Sequence, residues 1–285
     1  MALTFSYIIN TRWILFSEDS DFWITDINGL SANEISISEA QGVGQIGSTL
    51  SAQSIKPKDL TVSGVLFGNL IANRRALLST ILPGVAARFV ITDNAESWYL
   101  EGVPLRTPLI EETAVQQAFQ FVFHAPYPYW RSTEDGSAQI AGLIQLFRFP
   151  CSLADSWYIS KYSESLFTVV ENEGAIPTEF DVVFTAYTEV TDPEIYHVER
   201  GKYIKINKVM AAGETITVST AYGRKGVTLR LADGTQINGF KYLDVGSDLN
   251  MQMDPGANTI RSDAANNREG MRIQIIMPKG VVPGI

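Results

Sequence analysis

The fold is decided by residues 212–220, AGETITVST, in which hydroxyl residues alternate with Ile and Val behind an Ala-Gly turn. Alternation of polar and apolar residues is the period of a strand with one buried face. Similar short segments surround this one, including residues 201–206, GKYIKI, and the turns that start at Asp192-Pro193 and Asp254-Pro255. Turn signals recur about every 8–12 residues, and no long helical pattern intervenes, which predicts a β-sandwich.

The first half of the chain alternates in the same way and adds one helix. Phe119, Phe121 and Phe123 fall on one face of a predicted strand. A helix is predicted over residues 69–82, because Asn69 can cap its start and Pro83-Gly84 can end it. Its predicted apolar stripe, at helical spacing, comprises Leu70, Ile71, Leu77, Leu78, Ile81 and Leu82.

Residues 42–50 break the strand pattern. Gly42, Gly44 and Gly47 stand among small polar residues there. Glycine is costly to order and lacks a side chain to pack, so the segment predicts a flexible arm or the tip of a long hairpin.

Two prolines divide the chain. The block of residues 126–130, PYPYW, cannot continue a central strand, because proline lacks the backbone donor that a sheet requires. We therefore predict a first domain over residues 1–131, a linker over 132–148 and a second domain over 149–285.

Composition excludes several classes of protein. The 285 residues carry a net charge of -9 and show no basic patch, which argues against tight binding to phosphate backbones. Cys151 is the only cysteine, so neither an intrachain disulfide nor a thiolate metal cluster is expected. The apolar run at 136–147 is too short to cross a bilayer, and no secretory signature is evident. We expect synthesis in a reducing cytoplasm, no membrane insertion and no cofactor.

No set of side chains predicts catalysis. The densest potential metal ligands are Asp192, Glu194, His197 and Glu199, but strand alternation sends Glu194 to the opposite face from His197 and Glu199, so a solvated edge strand is the preferred interpretation. The acids between Glu18 and Asp26 lack the pattern of a calcium loop.

Nucleophilic catalysis would need a histidine, and the only two, His124 and His197, are expected in different domains. Cys151 is interpreted as a small buried apolar residue. With no cleft signature, two-carboxylate glycosidase chemistry is disfavoured.

Aromatic residues in the second half leave carbohydrate binding open as an alternative function. A stacking platform for sugar could draw on Trp157, Tyr158, Tyr162, Tyr187, Tyr196, Tyr203 and Tyr222. Most of these rings are better explained as core and strand aromatics.

The order of these features resembles the distal tail protein (Dit) family of phages with long non-contractile tails. In the first half, the resemblance rests on Asn28-Gly29-Leu30, the glycine-bearing arm, the helix with Arg74-Arg75, and residues 126–130. In the second half, the matching segments are residues 147–150, 172–174, 192–195, 213–216 and 254–258. Together they span roughly residues 5–278.

The resemblance implies a structural virion protein at the tip of the tail. Family members form a hexameric ring between the major tail tube protein and the tail-tip or baseplate hub, and receptor-binding proteins or side fibres can attach to them. The implied fold is mainly β, with an N-terminal β-sandwich (RIFT-like barrel) carrying one α-helix and a C-terminal galectin-like jelly roll.

The resemblance also suggests which residues carry the assembly. Gly42, Gly44 and Gly47 of the arm, with Arg74 and Arg75, are expected at the interface between copies. DNA passes through such a ring without specific binding, which favours carboxylates facing the lumen. Glu111 and Glu112 are the candidates for that position.

Overall fold

The alternating patterns form antiparallel strands in two separate units of the chain. The computed structural model describes residues 4–31, 33–93, 96–112, 116–141, 143–145, 160–162 and 166–285. The first unit comprises Met1–Glu134 and Val281–Ile285, and the second comprises Asp135–Gly280.

The first unit contains the following elements in chain order: β1 (Thr4–Ile9), β2 (Arg12–Phe16), β3 (Phe22–Asn28), β4 (Ile35–Ala40), β5 (Thr49–Ile55), β6 (Lys58–Leu66), α1 (Leu70–Thr80), β7 (Ala87–Asp93), β8 (Glu96–Pro104), β9 (Leu109–Glu112), β10 (Gln117–Ala125) and β11 (Trp130–Ser132).

The second unit follows with β12 (Asp135–Ala141), β13 (Leu143–Gln145), β14 (Ser160–Tyr162), β15 (Phe167–Asn172), β16 (Asp181–Ala186), β17 (Val190–His197), β18 (Lys202–Lys205), β19 (Val209–Met210), β20 (Thr215–Ser219), β21 (Gly226–Arg230), β22 (Gln236–Asn238), β23 (Gly256–Asn266) and β24 (Met271–Pro278). Two 3-10 turns lie at Phe240–Tyr242 and Arg268–Gly270, and β25 (Val281–Val282) belongs to the first unit.

The main sheet of the first unit runs in the order β2-β1-β7-β8-β10-β6-β3, and β9, β11 and β25 pair alongside it. Phe119, Phe121 and Phe123 are all buried, as their alternation predicts, and the Tyr7 ring meets Phe121 and Phe123 edge-on at 6.1 Å. The mainly β prediction is confirmed. No strand pairing joins β2 to β3 within the described residues, so the implied RIFT-like barrel is not closed by hydrogen bonds there.

The helix forms where its caps predict. The side chain of Asn69 accepts a hydrogen bond from the backbone N–H of Ala72 at 3.1 Å, and the helix ends at Thr80. Leu77 and Ile81 are buried, but the predicted stripe is too wide, because Ile71 is 68% exposed. Ile71 lies one position, about 100°, further round the helix from Leu70, which packs against the core.

The second unit is a sandwich of two sheets, and the prediction of a β-sandwich here is confirmed. One sheet has the order β12-β24-β16-β20-β21-β22, and the other has the order β15-β23-β17-β18 with β19 beside β17. Their inward residues share one core. β20 shows the alternation of buried and more exposed residues, because Ile216 and Val218 are buried while the hydroxyl residues on either side of them are partly exposed.

The units divide differently from the predicted domains. Residues 135–141, placed in the expected linker, form β12 and pair with β24 inside the second unit. The chain end returns to the first unit, where β25 pairs with β11. β12 was missed because its small residues, Gly136, Ser137 and Ala138, lack the β-branched side chains typical of strands. Residues 146–159, which include the expected start of the second domain, lie outside the described residues.

No helix in the described part of the chain is long and apolar enough to span a bilayer.

Candidate assembly surface

The arm predicted around residues 42–50 is a long hairpin built from β4 and β5. The two strands pair only with each other, as a separate two-stranded sheet. Every residue of both strands is exposed. The base is held by a backbone hydrogen bond from Lys56 to Glu34 at 2.8 Å and by an exposed ion pair between their side chains. Because all its strand residues are exposed, the arm lacks a core of its own, and an isolated two-stranded hairpin of this kind is only marginally stable in water.

The two faces of the arm differ in chemistry. Ile35 lies opposite Ile55, Ile37 opposite Gln53, and Leu50 opposite Glu39 beyond a bulge. Because side chains alternate between faces, these residues share one face. The other face carries only small side chains, Ser36, Ser38, Ala52 and Ser54. Large apolar side chains therefore line one face of a hairpin that nothing covers within the described residues.

The three predicted glycines lie at the tip of the arm. Gly44 and Gly47 have positive φ angles of 78° and 79°, which β-carbon-bearing residues rarely adopt. Gly42 donates its N–H to the Gln45 side chain at 2.9 Å and closes the turn. Val43 and Ile46 project between them and are fully exposed. The glycines thus shape the tip, and the apolar contact area lies on their neighbours and on the strands.

The other predicted assembly residues lie on different elements of the first unit. Arg74 is half-buried on α1, and Arg75 is exposed. Glu111 is exposed on β9, where it pairs with Ala118 of β10. Glu112 ends the same strand, and its side chain lies outside the described residues. A single chain does not test whether these side chains face a neighbour or a lumen, so both roles stay predictions.

His197 is a buried structural residue. β17 lies between β23 and β18, so the predicted edge strand is wrong. The Oδ1 atom of Asn258 accepts hydrogen bonds from the Asp254 N–H at 2.8 Å and from Nε2 of His197 at 3.0 Å. Nδ1 of His197 then accepts from the Arg200 N–H at 3.3 Å. Both ring nitrogens are thus engaged by neighbouring protein groups, which argues against a metal-binding role.

The carboxylates near His197 also have structural partners. Both oxygens of Glu199 accept the Thr259 N–H at 3.0 Å, and that hydrogen bond lowers the pKa of Glu199. Burial raises the pKa of Glu194, with Arg261 opposing the shift. No group of three possible metal ligands occurs in the described ranges.

His124 pairs with an acid but has no nucleophile beside it. Its Nδ1 lies 2.6 Å from Oδ1 of Asp59 across β10 and β6, on the exposed side of the sheet. No Ser, Thr or Cys side chain is bonded to this pair in the part of the chain that the structure describes. Cys151 lies outside that part.

The suggested aromatic platform is not assembled from the predicted rings that are described. Tyr196 and Tyr203 face each other across β17 and β18. Tyr187 and Tyr222 are exposed beyond the ends of β16 and β20. Trp157 and Tyr158 lie outside the described residues, as does the side chain of Tyr162.

Sequence reasoning missed two sets of residues. The first is the apolar face of the arm, although the alternation of residues 35–38, ISIS, is a detectable strand signal with one apolar face. The second is Phe240, a half-exposed ring that lines a surface depression with Thr228 and Gln236. It follows an Asn-Gly turn, and no local sequence pattern indicates that these residues are its neighbours.

Comparisons with known proteins agree with this fold. Residues 173–274 match the sequence model of a family described as siphovirus-type tail component, C-terminal domain. No curated protein sequence matches the chain significantly.

The solved structures extend the similarity over the whole chain. The SPP1 Dit (gp 19.1) protein, described as a paradigm of the hub adsorption apparatus in phages infecting Gram-positive bacteria, is similar with a TM-score of 0.67 and 13% identity, over 96% of this chain and 98% of that chain. A chain of the phage P2 baseplate in its activated conformation with Ca is similar with a TM-score of 0.53 and 11% identity, over 97% and 98%. A chain of the corresponding p2 baseplate with Sr is similar with a TM-score of 0.54 and 10% identity, over 96% of this chain and 97% of that chain. The resemblance to distal tail proteins is therefore confirmed, by the family match over residues 173–274 and by the similarity of fold over nearly the whole chain.

Proposed function

We propose that this chain is a structural protein of a phage tail and that six copies form a ring at the distal end of the tail tube. The observation that carries this proposal is the arm, a hairpin whose large apolar side chains are exposed on one face. Burial of such side chains contributes about 1.5–3 kcal/mol each. A neighbouring copy would supply the cover that the arm lacks.

The shape of the arm suits a ring of identical chains. A closed ring uses head-to-tail contacts, in which one surface of a copy meets a different surface of the next. A hairpin that projects from the sheet can reach across such a contact and bury its apolar face. Its glycine tip can lie close to a neighbour's backbone, because no β-carbon intervenes.

The charge of the chain suits a ring through which DNA passes. Each copy carries a net charge of -9, and a carboxylate-lined lumen repels phosphate. We assign Glu111 and Glu112 to this lumen, and Arg74 and Arg75 to the contact between copies. The tube protein and the tail-tip hub are the partners above and below, and receptor-binding proteins or side fibres attach to the ring at the virion tail tip.

Substitutions on the two faces of the arm test the assembly. We expect the purified full-length protein to show six-fold particles in negative stain and a hexamer mass by light scattering. Ile37→Asp places a charge on the apolar face and should abolish the hexamer. Ser36→Asp adds the same charge at the next position, on the opposite face, and should preserve it.

The outcomes separate the possibilities. A hexamer that survives Ile37→Asp would exclude the apolar face of the arm from the contact. A wild-type protein that stays monomeric at every concentration, and also fails to form rings when mixed with tube protein, would contradict the proposed function. Circular dichroism of both variants checks that loss of assembly is not loss of fold.

A further inference from the structure

The outer face of the six-stranded sheet is polar near its β22 edge. Along one row, Thr217 of β20 lies opposite Thr228 of β21, which lies opposite Asn238 of β22. Along the next row, Arg230 lies between Thr215 and Gln236. Directly opposed side chains on one face are about 4.5–5.5 Å apart at their β-carbons. The face therefore presents closely spaced hydroxyl, amide and guanidinium groups.

A depression of about 410 Å³ opens at this edge. Its polar lining includes Lys225, Thr228, Gln236 and Asn238, and its apolar lining includes Ile237 and Phe240. Phe240 is 49% exposed. An exposed apolar ring beside exposed hydroxyl and amide groups is the arrangement that recognises a sugar, which has apolar C–H faces and a hydroxyl rim.

Local backbone geometry holds the ring in place. The N–H of Gly239 donates to the carbonyl of Val227 at 2.9 Å, and a β-carbon at Gly239 would lie only 2.9 Å from a Val227 methyl group. The Phe240 N–H donates to Oδ1 of Asn238 at 2.9 Å. This hydrogen bond fixes the amide of Asn238, whose Nδ2 group remains available to a ligand.

The depression is locally cationic in an acidic protein. No carboxylate of the described residues lines it. Lys225 lies at one end, where its Nζ atom also contacts Oδ1 of Asn250, and the exposed Arg230 flanks Gln236. The protein as a whole carries a net charge of -9 and therefore repels anions. An anionic ligand is thus expected to bind at this cationic edge rather than nonspecifically elsewhere on the surface.

We propose that this depression is a binding site for an anionic oligosaccharide. A sugar ring would stack on Phe240, its hydroxyl groups would bond to Thr228, Gln236 and Asn238, and its acidic group would pair with Lys225 or Arg230. The site is independent of the arm and of the proposed ring.

The test uses two oligosaccharides with the same sugar backbone, one acidic and one with its carboxylates neutralised as methyl esters. Tetragalacturonate and its fully methyl-esterified form are titrated into the full-length protein by calorimetry and by saturation-transfer NMR. We expect tetragalacturonate to bind, and to bind more weakly as salt rises. Phe240→Ala should weaken binding about tenfold or more. Lys225→Gln should remove the preference for the acidic form.

Matched controls lie elsewhere in the second unit. Tyr187→Ala removes a similarly exposed ring, and Lys202→Gln removes an exposed lysine, and neither should change binding. Gln236→Ala truncates an exposed side chain and serves as the second site variant if Phe240→Ala proves unstable.

Each outcome decides the proposal. No binding of either oligosaccharide overturns it, and so does binding that Phe240→Ala and Gln236→Ala leave unchanged. Equal binding of the neutral ester overturns the assignment of an anionic ligand. Hexamer formation is measured in the same samples, so failure of the sugar site is distinguishable from failure of the ring.

Discussion

Lys58 begins β6 with its ammonium group buried and no carboxylate bonded to it in the described ranges. Its Nζ atom donates to the carbonyls of Leu30 and Pro283, each at 3.0 Å. Burial disfavours the charged form and lowers the pKa of Lys58 to about 8. Proton uptake by this one side chain is therefore coupled to folding of the first unit.

The sign of that coupling gives a prediction. Below pH 8 the lysine is charged in both the folded and the unfolded chain. Between about pH 8 and 10.5 the folded chain releases the proton first, so the unfolded chain binds more protons and stability rises with pH. We expect the free energy of unfolding to increase by about 1–3 kcal/mol across this window, relative to Lys58→Met.

Urea unfolding of both proteins from pH 7 to 10.5 measures this difference, and contributions from other titrating groups cancel between them. Parallel stability curves would show that Lys58 stays protonated in the folded chain.

The Asp192-Pro193 pair shows that a local turn signal can be overridden by strand pairing. Asp192-Pro193 is a strong turn signal, yet it lies inside β17, with Asp192 at a φ angle of 50°. Asp192 has no register partner on β23, its N–H donates to the Lys208 carbonyl at 3.1 Å, and pairing with β23 resumes at Pro193, opposite Ala264. Pairing with β23 outweighs the local preference for a turn, and no local pattern reveals that partner.

At the scale of elements, α1 shows how much a periodic pattern determines. The start of the helix follows directly from capping by Asn69, whereas its end at Thr80 comes two residues before the predicted end at Leu82. The width of the buried stripe is not predictable, because the core contacts only a narrow line through Leu70, Leu77 and Ile81. The width of the buried stripe is set by the sheet of the first unit, against which the helix packs.

A matched pair of substitutions tests the narrow stripe. Leu77→Ala should destabilise the protein by about 2–5 kcal/mol, because Leu77 is fully buried. Ile71→Ala should change stability by less than about 0.5 kcal/mol, because Ile71 is largely exposed. Urea unfolding followed by Trp fluorescence measures both, and similar losses would mean that Ile71 is covered in solution, as a contact between copies would produce.

At the scale of the whole molecule, the chain end returns to the unit in which the chain began. Val281 is fully buried in β25, which pairs with β11, and the Pro283 carbonyl accepts from Lys58. The last residues thus complete the core of the first unit after the whole second unit has intervened.

Removing that segment tests its role. Truncation after Gly280 should accelerate amide hydrogen exchange in β11 and at the start of β6, because β25 and the Pro283 acceptor are lost. Exchange in β20 and β21 should stay unchanged. Deletion of Ile285 alone is the control and should alter neither region, and unaltered exchange in β11 after the longer truncation would contradict the role of β25.

The sequence by itself determined the β architecture, the helix with its N-cap and the glycine tip of the arm. These features depend on contacts between residues that are close in the chain, where alternation, helical spacing and turn chemistry are decisive. Only the tertiary structure decided that His197 is buried, that β12 joins β24, that β25 returns to β11 and that Phe240 lies beside Thr228 and Gln236. Each of these depends on strand pairing between distant segments, and the register of such pairing is fixed by the shared core rather than by any local pattern.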